Sequence, residues 1–317
     1  MSVQLIATSV ATADKSTDST GLKISVTIRD NMAVTIVTAS FLHYAKALKA
    51  AFEELNAAIG FLAIVIDPVP DTPLPEWAVG PETLCEELPR ARQMIEQYRE
   101  SDRGDALRWS LKSQLLLYCI QHSAKKVLWC DPDLMFFEDP EPLFDMIESD
   151  TVLLSPHFRA FRPSTNEIDF QKNFTEGIFQ AGFLGVGHGT CQFLDWWAEA
   201  CLWDMSKNPA VGTYVDQKFL DLLPVYWSGT KILRNRGCNV AEWNWHENKR
   251  VVSDGGTLIN GQDPVMFVHF TDWTIAEILH GRDIGLKPYL ERYVELVRRY
   301  KPSFQLRVPA RFTPDRL

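Results

Sequence analysis

The chain has 317 residues, 46% of them hydrophobic and 23% charged, and a formal net charge of −9 from 32 Lys and Arg against 41 Asp and Glu. That balance argues against nucleic acid as a general partner, because binding to a phosphate backbone is driven by clustered Lys and Arg. The length supports one large α/β domain or two small ones with a sizeable core. Ten tryptophans exceed what a core needs; such a surplus often lines sugar or base sites, although packing explains most tryptophans. The six cysteines include no C-x-x-C pair and lie mostly in apolar runs, the pattern of reduced thiols rather than of a zinc site or a disulfide framework. No basic segment followed by an apolar stretch of signal-peptide length opens the chain, and no apolar run approaches a membrane span, so a cytoplasmic protein is expected.

Residues 1–31 are rich in Ser, Thr and Asp and are expected to form a flexible or weakly docked extension, with Met32 as an alternative start. A strand is read at 33–38. A helix follows in which Phe41, Ala45, Leu48, Phe52 and Leu55 share one face, with Ser40 as its N-cap. A second strand at 61–66 ends at Asp67-Pro68 and opens a proline-rich loop over 67–80. Strand, helix, strand with a polar loop at the first strand's carboxyl end is the opening unit of a nucleotide-binding α/β fold. Neither G-x-G-x-x-G nor G-x-x-x-x-G-K-[ST] occurs there, which removes dinucleotide and P-loop sites. Residues 81–100 read as charged helix, and 105–121 as a helix with Leu107, Leu111, Leu115 and Tyr118 on one face. Arg108 and Lys112 are four apart on that helix; they could neutralise phosphate, or form a solvated basic pair.

Val127-Leu128-Trp129-Cys130 then forms a buried strand that runs into Asp131-Pro132-Asp133. Pro132 has no N–H for a sheet ladder, so the strand stops there and delivers both acids at its carboxyl end, where ligands sit in open α/β sheets. Alternation puts Asp131 and Asp133 on one side of the chain. Two like charges held that close call for a cation between them. Taken alone, the tripeptide reads more simply as an Asp-Pro turn with a helix-capping acid.

The residues from Glu138 to Phe144 open a short helix, the prolines and acids belonging to its first turn. A strand at 151–154 closes on Ser155-Pro156-His157. Residues 177–186, which contain Gln180-Ala181-Gly182-Phe183, combine strand character with small residues where a ligand could approach the backbone. A helix carrying Phe193, Leu194, Trp196, Trp197 and Cys201 belongs to the core, and another helix is read from 215 onward, beginning at Val215-Asp216-Gln217. Trp243-Asn244 lies in a loop, and a strand at 265–270 delivers His269 at its carboxyl end. Residues 286–317 form a helix, with Leu290, Val294 and Val297 inward, and a basic tail that includes Lys287, Arg292, Arg298, Arg299, Lys301, Arg307, Arg311 and Arg316. This end either makes peripheral contact with anionic lipid or is a solvated terminal helix.

In this order, Val127–Asp133, Pro142-Leu143-Phe144, Gln180-Ala181-Gly182-Phe183, Asp216-Gln217, Trp243-Asn244 and His269-Phe270 resemble the metal-dependent GT-A glycosyltransferases, over roughly residues 33–275. Within them the chain is similar to the family-eight enzymes, which include glycogenin and bacterial lipopolysaccharide galactosyl- and glucosyltransferases. It is similar also to a bacterial group that shares D-P-D, S/T-P-H, W-W, D-Q and W-N. The resemblance implies an α/β GT-A fold with a central, mostly parallel mixed sheet flanked by helices. In chain order the sequence divides into the extension (1–31), one domain, catalytic if the resemblance holds (32–280), and the C-terminal helix with its basic tail (281–317).

The resemblance also implies a set of site residues. Asp131, Asp133 and His269 would bind Mn²⁺ or Mg²⁺ together with the donor diphosphate. Thr38, Ser40 and Tyr44 would hold the base and ribose, with Tyr44 as a stacking ring. Gln180, standing where relatives carry Asn, would contact the donor sugar, and Gly182 and Asn244 belong to the same donor site. Asp216 and Gln217 would line the reacting face of the transferred sugar. Family-eight chains follow H-F with a K-P-W whose lysine grips the diphosphate. Thr271-Asp272-Trp273 stands here instead, so that Arg282, Lys287 or Lys112 replaces that lysine or nothing does, with Arg108 and Lys112 both open as the helix-borne cation.

The expected activity is sugar transfer from a nucleoside diphosphate sugar, favouring a UDP-hexose, to a hydroxyl of a glycan or lipid-linked acceptor, with retention. Oxygen ligands suit Mg²⁺ or Mn²⁺, and an imidazole ligand tilts the choice towards Mn²⁺. A sugar nucleotidyltransferase is the nearest rival, although Thr38-Ala39-Ser40-Phe41 is not the Gly-rich basic loop it would carry. A non-catalytic sugar-nucleotide or glycan-binding module on the same fold is the other.

Overall fold

The computed structural model describes residues 26–99 and 105–309. Most of the expected N-terminal extension and the end of the basic tail, with Arg311 and Arg316, therefore lie outside the described residues. Nine strands position the site: β1 (Asn31–Val37), β2 (Gly60–Val65), β3 (Ala78–Val79), β4 (Lys126–Cys130), β5 (Leu134–Phe136), β6 (Val152–Pro156), β7 (Phe179–Gly187), β8 (Thr230–Ile232) and β9 (Phe267–His269). All but β5 and β9 form one seven-stranded sheet in the order β8-β6-β7-β4-β1-β2-β3. Its pairings are parallel except those of β7, which runs antiparallel to both β4 and β6. This is the mostly parallel mixed sheet that the motifs imply.

Burial explains the arrangement. Strands β1, β2 and β4 are near-continuous apolar runs because both faces of the sheet are covered. On one face Val34, Ile36, Leu62, Ile64 and Trp129 pack under helices α2 (Pro89–Tyr98), α3 (Lys112–Gln121) and α5 (Cys191–Trp203). The alternate residues Ala33, Val37, Ala63, Val65 and Leu128 face Leu48 and Phe52 of α1 (Leu42–Leu55). The remaining helices used below are α4 (Glu167–Thr175), α6 (Asp272–Leu279) and α7 (Lys287–Tyr300).

Several boundaries differ from those read in the sequence. Ser40 does not cap α1: residues Ala39–Phe41 form a 3-10 turn, and the Ser40 hydroxyl pairs with that of Thr38 at 2.9 Å. The helix expected over 105–121 is two segments, Ala106–Ser110 and α3, on either side of Leu111. After Asp216-Gln217 the chain forms a 3-10 turn, Lys218–Leu222, before a short helix.

Helix α7 lies on α1, where Ala47, Ala50 and Ala51 offer a small-residue face to Leu290, Tyr293, Leu296 and Val297. Two of its arginines are already engaged. Glu54 of α1 takes both Arg292 and Arg299, and Glu295 takes the same pair from its own helix. The expectation of a lipid-facing basic stripe gains no support from the described residues. No helix among them is long and apolar enough to cross a membrane.

Candidate functional site

The site grows from the end of β4. Past Cys130 the Asp131 N–H donates to the Gly182 carbonyl of β7 at 2.7 Å, and Leu134 N–H closes the Asp-Pro-Asp turn on the Asp131 carbonyl at 3.0 Å. The chain leaves the main sheet there and pairs as β5 with β9, antiparallel, in a register that sets His269 opposite Leu134. Phe270 N–H donates to the Asp133 carbonyl at 2.9 Å. This two-stranded ribbon brings a histidine beside acids far from it in sequence. His269 Nε2 lies 3.2 Å from Asp133 Oδ1 and 4.0 Å from Asp131 Oδ2.

Ligand atoms of Asp131, Asp133 and His269 all fall within 4.8 Å of one another. Oxygen or nitrogen ligands at ~2.1 Å from a single cation stand about 3–4 Å apart, so side-chain shifts of a few tenths of an ångström would let the three close on one divalent ion. Two further observations support the fit. A Cβ at position 182 would meet His269 Cε1 at 2.5 Å and Asp131 Oδ2 at 2.7 Å, so only glycine leaves these side chains their places. On the far side of the ring, His269 Nδ1 lies 3.3 Å from Asn239 Oδ1, an acceptor that would fix the imidazole with Nε2 towards the acids. Burial opposes charge on His269, but Asp133 and then Asp131 outweigh it and hold the imidazole pKa above its ordinary value. Burial likewise opposes charge on Asp133, and His269 overcomes it, so that carboxyl lies below the usual range.

A second charged layer lies beneath. Lys112, at the start of α3, is fully enclosed; its ammonium donates to the Ala181 carbonyl at 2.9 Å and sits 3.0 Å from Asp216 Oδ2 and 3.5 Å from Asp131 Oδ1. Burial alone would lower its pKa, yet the two carboxylates raise it. Burial pushes Asp216 up against the pull of Lys112. Just before Asp216, Val215 adopts φ +45°, a left-handed conformation that a β-branched residue takes at a cost of about 1–3 kcal/mol.

Above these layers a cavity of about 520 Å³ opens, lined by Asp131, Asp133, Arg108 and Lys112 together with the rings of Phe41, Tyr44, Trp109, Trp129 and Trp273. The C-terminal residues Phe304, Arg307 and Pro309 form part of its wall.

Not every residue singled out in the sequence reaches this cavity. Tyr44 does, but its ring is already packed on Phe41 at 5.4 Å and Tyr293 at 6.3 Å, and burial raises its hydroxyl to about 12. Thr38 and Ser40 pair with each other outside the lining. Gln180 turns its amide to Gly182 N–H and His269 rather than to the cavity. Gln217 accepts from Ala181 N–H at 3.3 Å and donates to the Glu176 carbonyl at 2.9 Å, so both ends of its amide are used by backbone.

Asn244 is buried in the 239–250 loop, donating to the Asn239 carbonyl at 2.9 Å. Of the Trp-Asn pair it is Trp243 that touches the site, edge-on to His269 at 5.2 Å. Lys287 is exposed at the first turn of α7, and Arg282 pairs with Glu277; neither lines the cavity. Of the candidate cations, Arg108 lines it in an ion pair with Asp105, and Lys112 forms its charged floor. Asn239 and Arg307 were not picked out in the sequence as site residues. Asn239 has a weak local signal, a non-glycine residue at φ +55°, visible only in three dimensions.

No family model matches the chain. Among curated proteins it is similar to two from Bacillus subtilis (strain 168). The uncharacterized protein YfnF is 28% identical over 181 residues, 54% of this chain and 57% of YfnF. The uncharacterized protein YfnD is 27% identical over 181 residues, 53% of this chain and 54% of YfnD. The match thus spans little more than half the length of each relative. Among solved structures, an active-site mutant of LgtC superposes with a TM-score of 0.51 at 15% identity, covering 84% of this chain and 95% of that chain. Identity this low speaks for fold alone. The chain has the GT-A glycosyltransferase fold: a central, mostly parallel seven-stranded sheet flanked by helices, with the acid pair at the carboxyl end of β4.

Proposed function

We propose that the chain is a divalent-cation-dependent glycosyltransferase that moves a hexosyl group from a nucleoside diphosphate sugar, UDP-linked by preference, to a hydroxyl of a glycan or lipid-linked acceptor, with retention. The observation that carries this reading is the convergence of Asp131, Asp133 and His269 on one point at an aromatic-lined cavity of about 520 Å³. Such a volume is in the range of small-molecule sites. A diphosphate cannot approach paired carboxylates in a confined site without a cation between them. Asp131, Asp133 and His269 would hold Mn²⁺ or Mg²⁺, which supplies Lewis-acid stabilisation of the charge that builds on the leaving diphosphate.

The chain's own residues do the rest. Asn239 orients His269, and Trp129 Nε1 donates to Asp131 Oδ1 at 3.1 Å, which fixes that carboxylate. Lys112 places one ammonium between Asp131 and Asp216 and offsets part of the cost of burying the second acid. Asp216 and Gln217 are assigned the floor beneath the transferred sugar, where a carboxylate and an amide dipole favour a sugar that becomes oxocarbenium-like as its C1–O bond breaks. A glutamine amide is a poor nucleophile, so Gln217 is given no covalent role.

Hydrolysis of a panel of nucleotide sugars, followed with and without Mn²⁺, tests the reading. Metal-dependent release of UDP from one preferred donor is expected, and Asp133→Ala should cut it by about 10²–10³-fold, the scale of losing one electrostatic stabiliser. Asp133→Ala at the wild-type rate would sink the assignment, and no hydrolysis or binding of any donor would favour a non-catalytic module.

A further inference from the structure

We propose that the C-terminal segment completes the donor site, with Arg307 as the residue that binds the diphosphate of the nucleotide. The inference rests on the nucleotide-sugar reading above. A bound diphosphate requires cationic groups free to turn to it, and the side chains that line the cavity include three: Arg108, Lys112 and Arg307. Lys112 is spent on Asp131, Asp216 and the Ala181 carbonyl. Arg108 is held by Asp105, three residues before it. Arg307 pairs with no carboxylate among the described residues. Its guanidinium lies over the ring of Phe41, 5.3 Å from the centroid, which keeps it at the cavity without neutralising it. A planar guanidinium in that position can offer parallel N–H groups to two phosphate oxygens, a geometry that lysine lacks.

The segment that carries Arg307 is attached where it needs to be. Phe304 is 6% exposed and stands edge-on to Tyr44 at 5.7 Å and to Tyr293 at 6.5 Å. Its N–H donates to the Lys301 carbonyl at 2.8 Å, and its own carbonyl accepts from Arg298 Nε at 3.4 Å. Arg307 thus follows closely on a ring fixed against α1 and α7, the same helices that shape the cavity's aromatic wall.

Calorimetric titration of the full chain with uridine, UMP and UDP in Mn²⁺ tests this, using wild type, Arg307→Ala and Arg307→Lys. Wild type should bind UDP more tightly than uridine. Arg307→Ala should weaken UDP by about 10–100-fold, the scale of a charge-assisted hydrogen-bonded pair, and leave uridine unchanged. Arg307→Lys should recover part of the loss, as a point charge does. Equal UDP affinity in wild type and Arg307→Ala overturns the proposal while leaving the nucleotide-sugar reading intact. An equal loss for uridine and UDP also overturns it, because Arg307 would then serve the base. A wild-type chain that binds no UDP overturns the nucleotide-sugar reading itself, and this proposal with it.

Discussion

Asp131 and Asp133 stand where β4 turns into β5, held by a sheet whose register leaves them one place to be. Phe304 and Arg307 stand beyond α7, on a segment tied down chiefly by one buried ring. Both line the same cavity. The first wall is over-determined: backbone hydrogen bonds to β7, the pairing of β5 with β9, the missing Cβ at Gly182 and the buried Lys112 each restrict it independently. The second is conditional on local packing. Rigid, sheet-borne groups suit charge stabilisation, which loses force when the groups must reorganise. A peripheral segment suits recognition of a ligand that must enter and leave.

The contrast can be broken most sharply from below. Lys112→Met should remove the one cation between Asp131 and Asp216 and leave a buried carboxylate unpaired, costing about 3–5 kcal/mol in denaturant unfolding. Adding Asp216→Asn should return part of that loss, and full additivity of the two changes would show that the pair is not coupled.

Gly182→Ala comes next. Its methyl group would overlap His269 and Asp131, so Mn²⁺ affinity measured by titration should drop by about 10–100-fold while the fold persists. Unchanged affinity would mean that the sheet-borne wall is less constrained than its contacts imply.

Phe304→Ala probes the other wall. UDP affinity should fall about tenfold while the acid–histidine cluster still binds Mn²⁺ normally, and limited proteolysis should begin near residues 301–309. Loss of Mn²⁺ binding as well would deny the independence of the two walls.

The smallest effect concerns pH. Burial, with Lys301 nearby, lowers His43 from 6.5 to about 4, and the ring lies 6.0 Å from Phe304. The folded chain therefore keeps His43 neutral where the unfolded chain would protonate it. Its contribution to stability is present above pH 6.5 and is lost as pH falls towards 4. The melting temperature of His43→Gln should decline less than that of wild type over that interval; parallel curves would exclude His43 as the cause.

Much of this was legible in the sequence because it depends on short-range pattern. The strand that ends in Asp131-Pro132-Asp133 announces itself by apolar residues and a proline, and His269 by its place at the end of another apolar run. The helix over 105–121 was legible as helix, but its interruption at Leu111 was not, since propensity carries no information about which side chain must turn inwards. The D-Q and W-N pairs were legible as marks in the chain. Which member of W-N meets the histidine was not, because Trp243 and Asn244 are adjacent and only packing tells them apart.

By itself, then, the sequence determined the apolar core strands, the helices that cover them and the delivery of two acids and a histidine at strand ends, all consequences of apolar runs, helical periodicity and proline's missing N–H. Only the tertiary structure decided which of these groups meet. The β5–β9 pairing places His269 against Asp133, and the burial of Lys112 selects it over Arg108 as the cation between two carboxylates. The docking of Phe304 brings a distant arginine to the cavity of the acid pair. The reason is physical: proximity between residues far apart in the chain is set by registry and packing, which no local run of amino acids encodes.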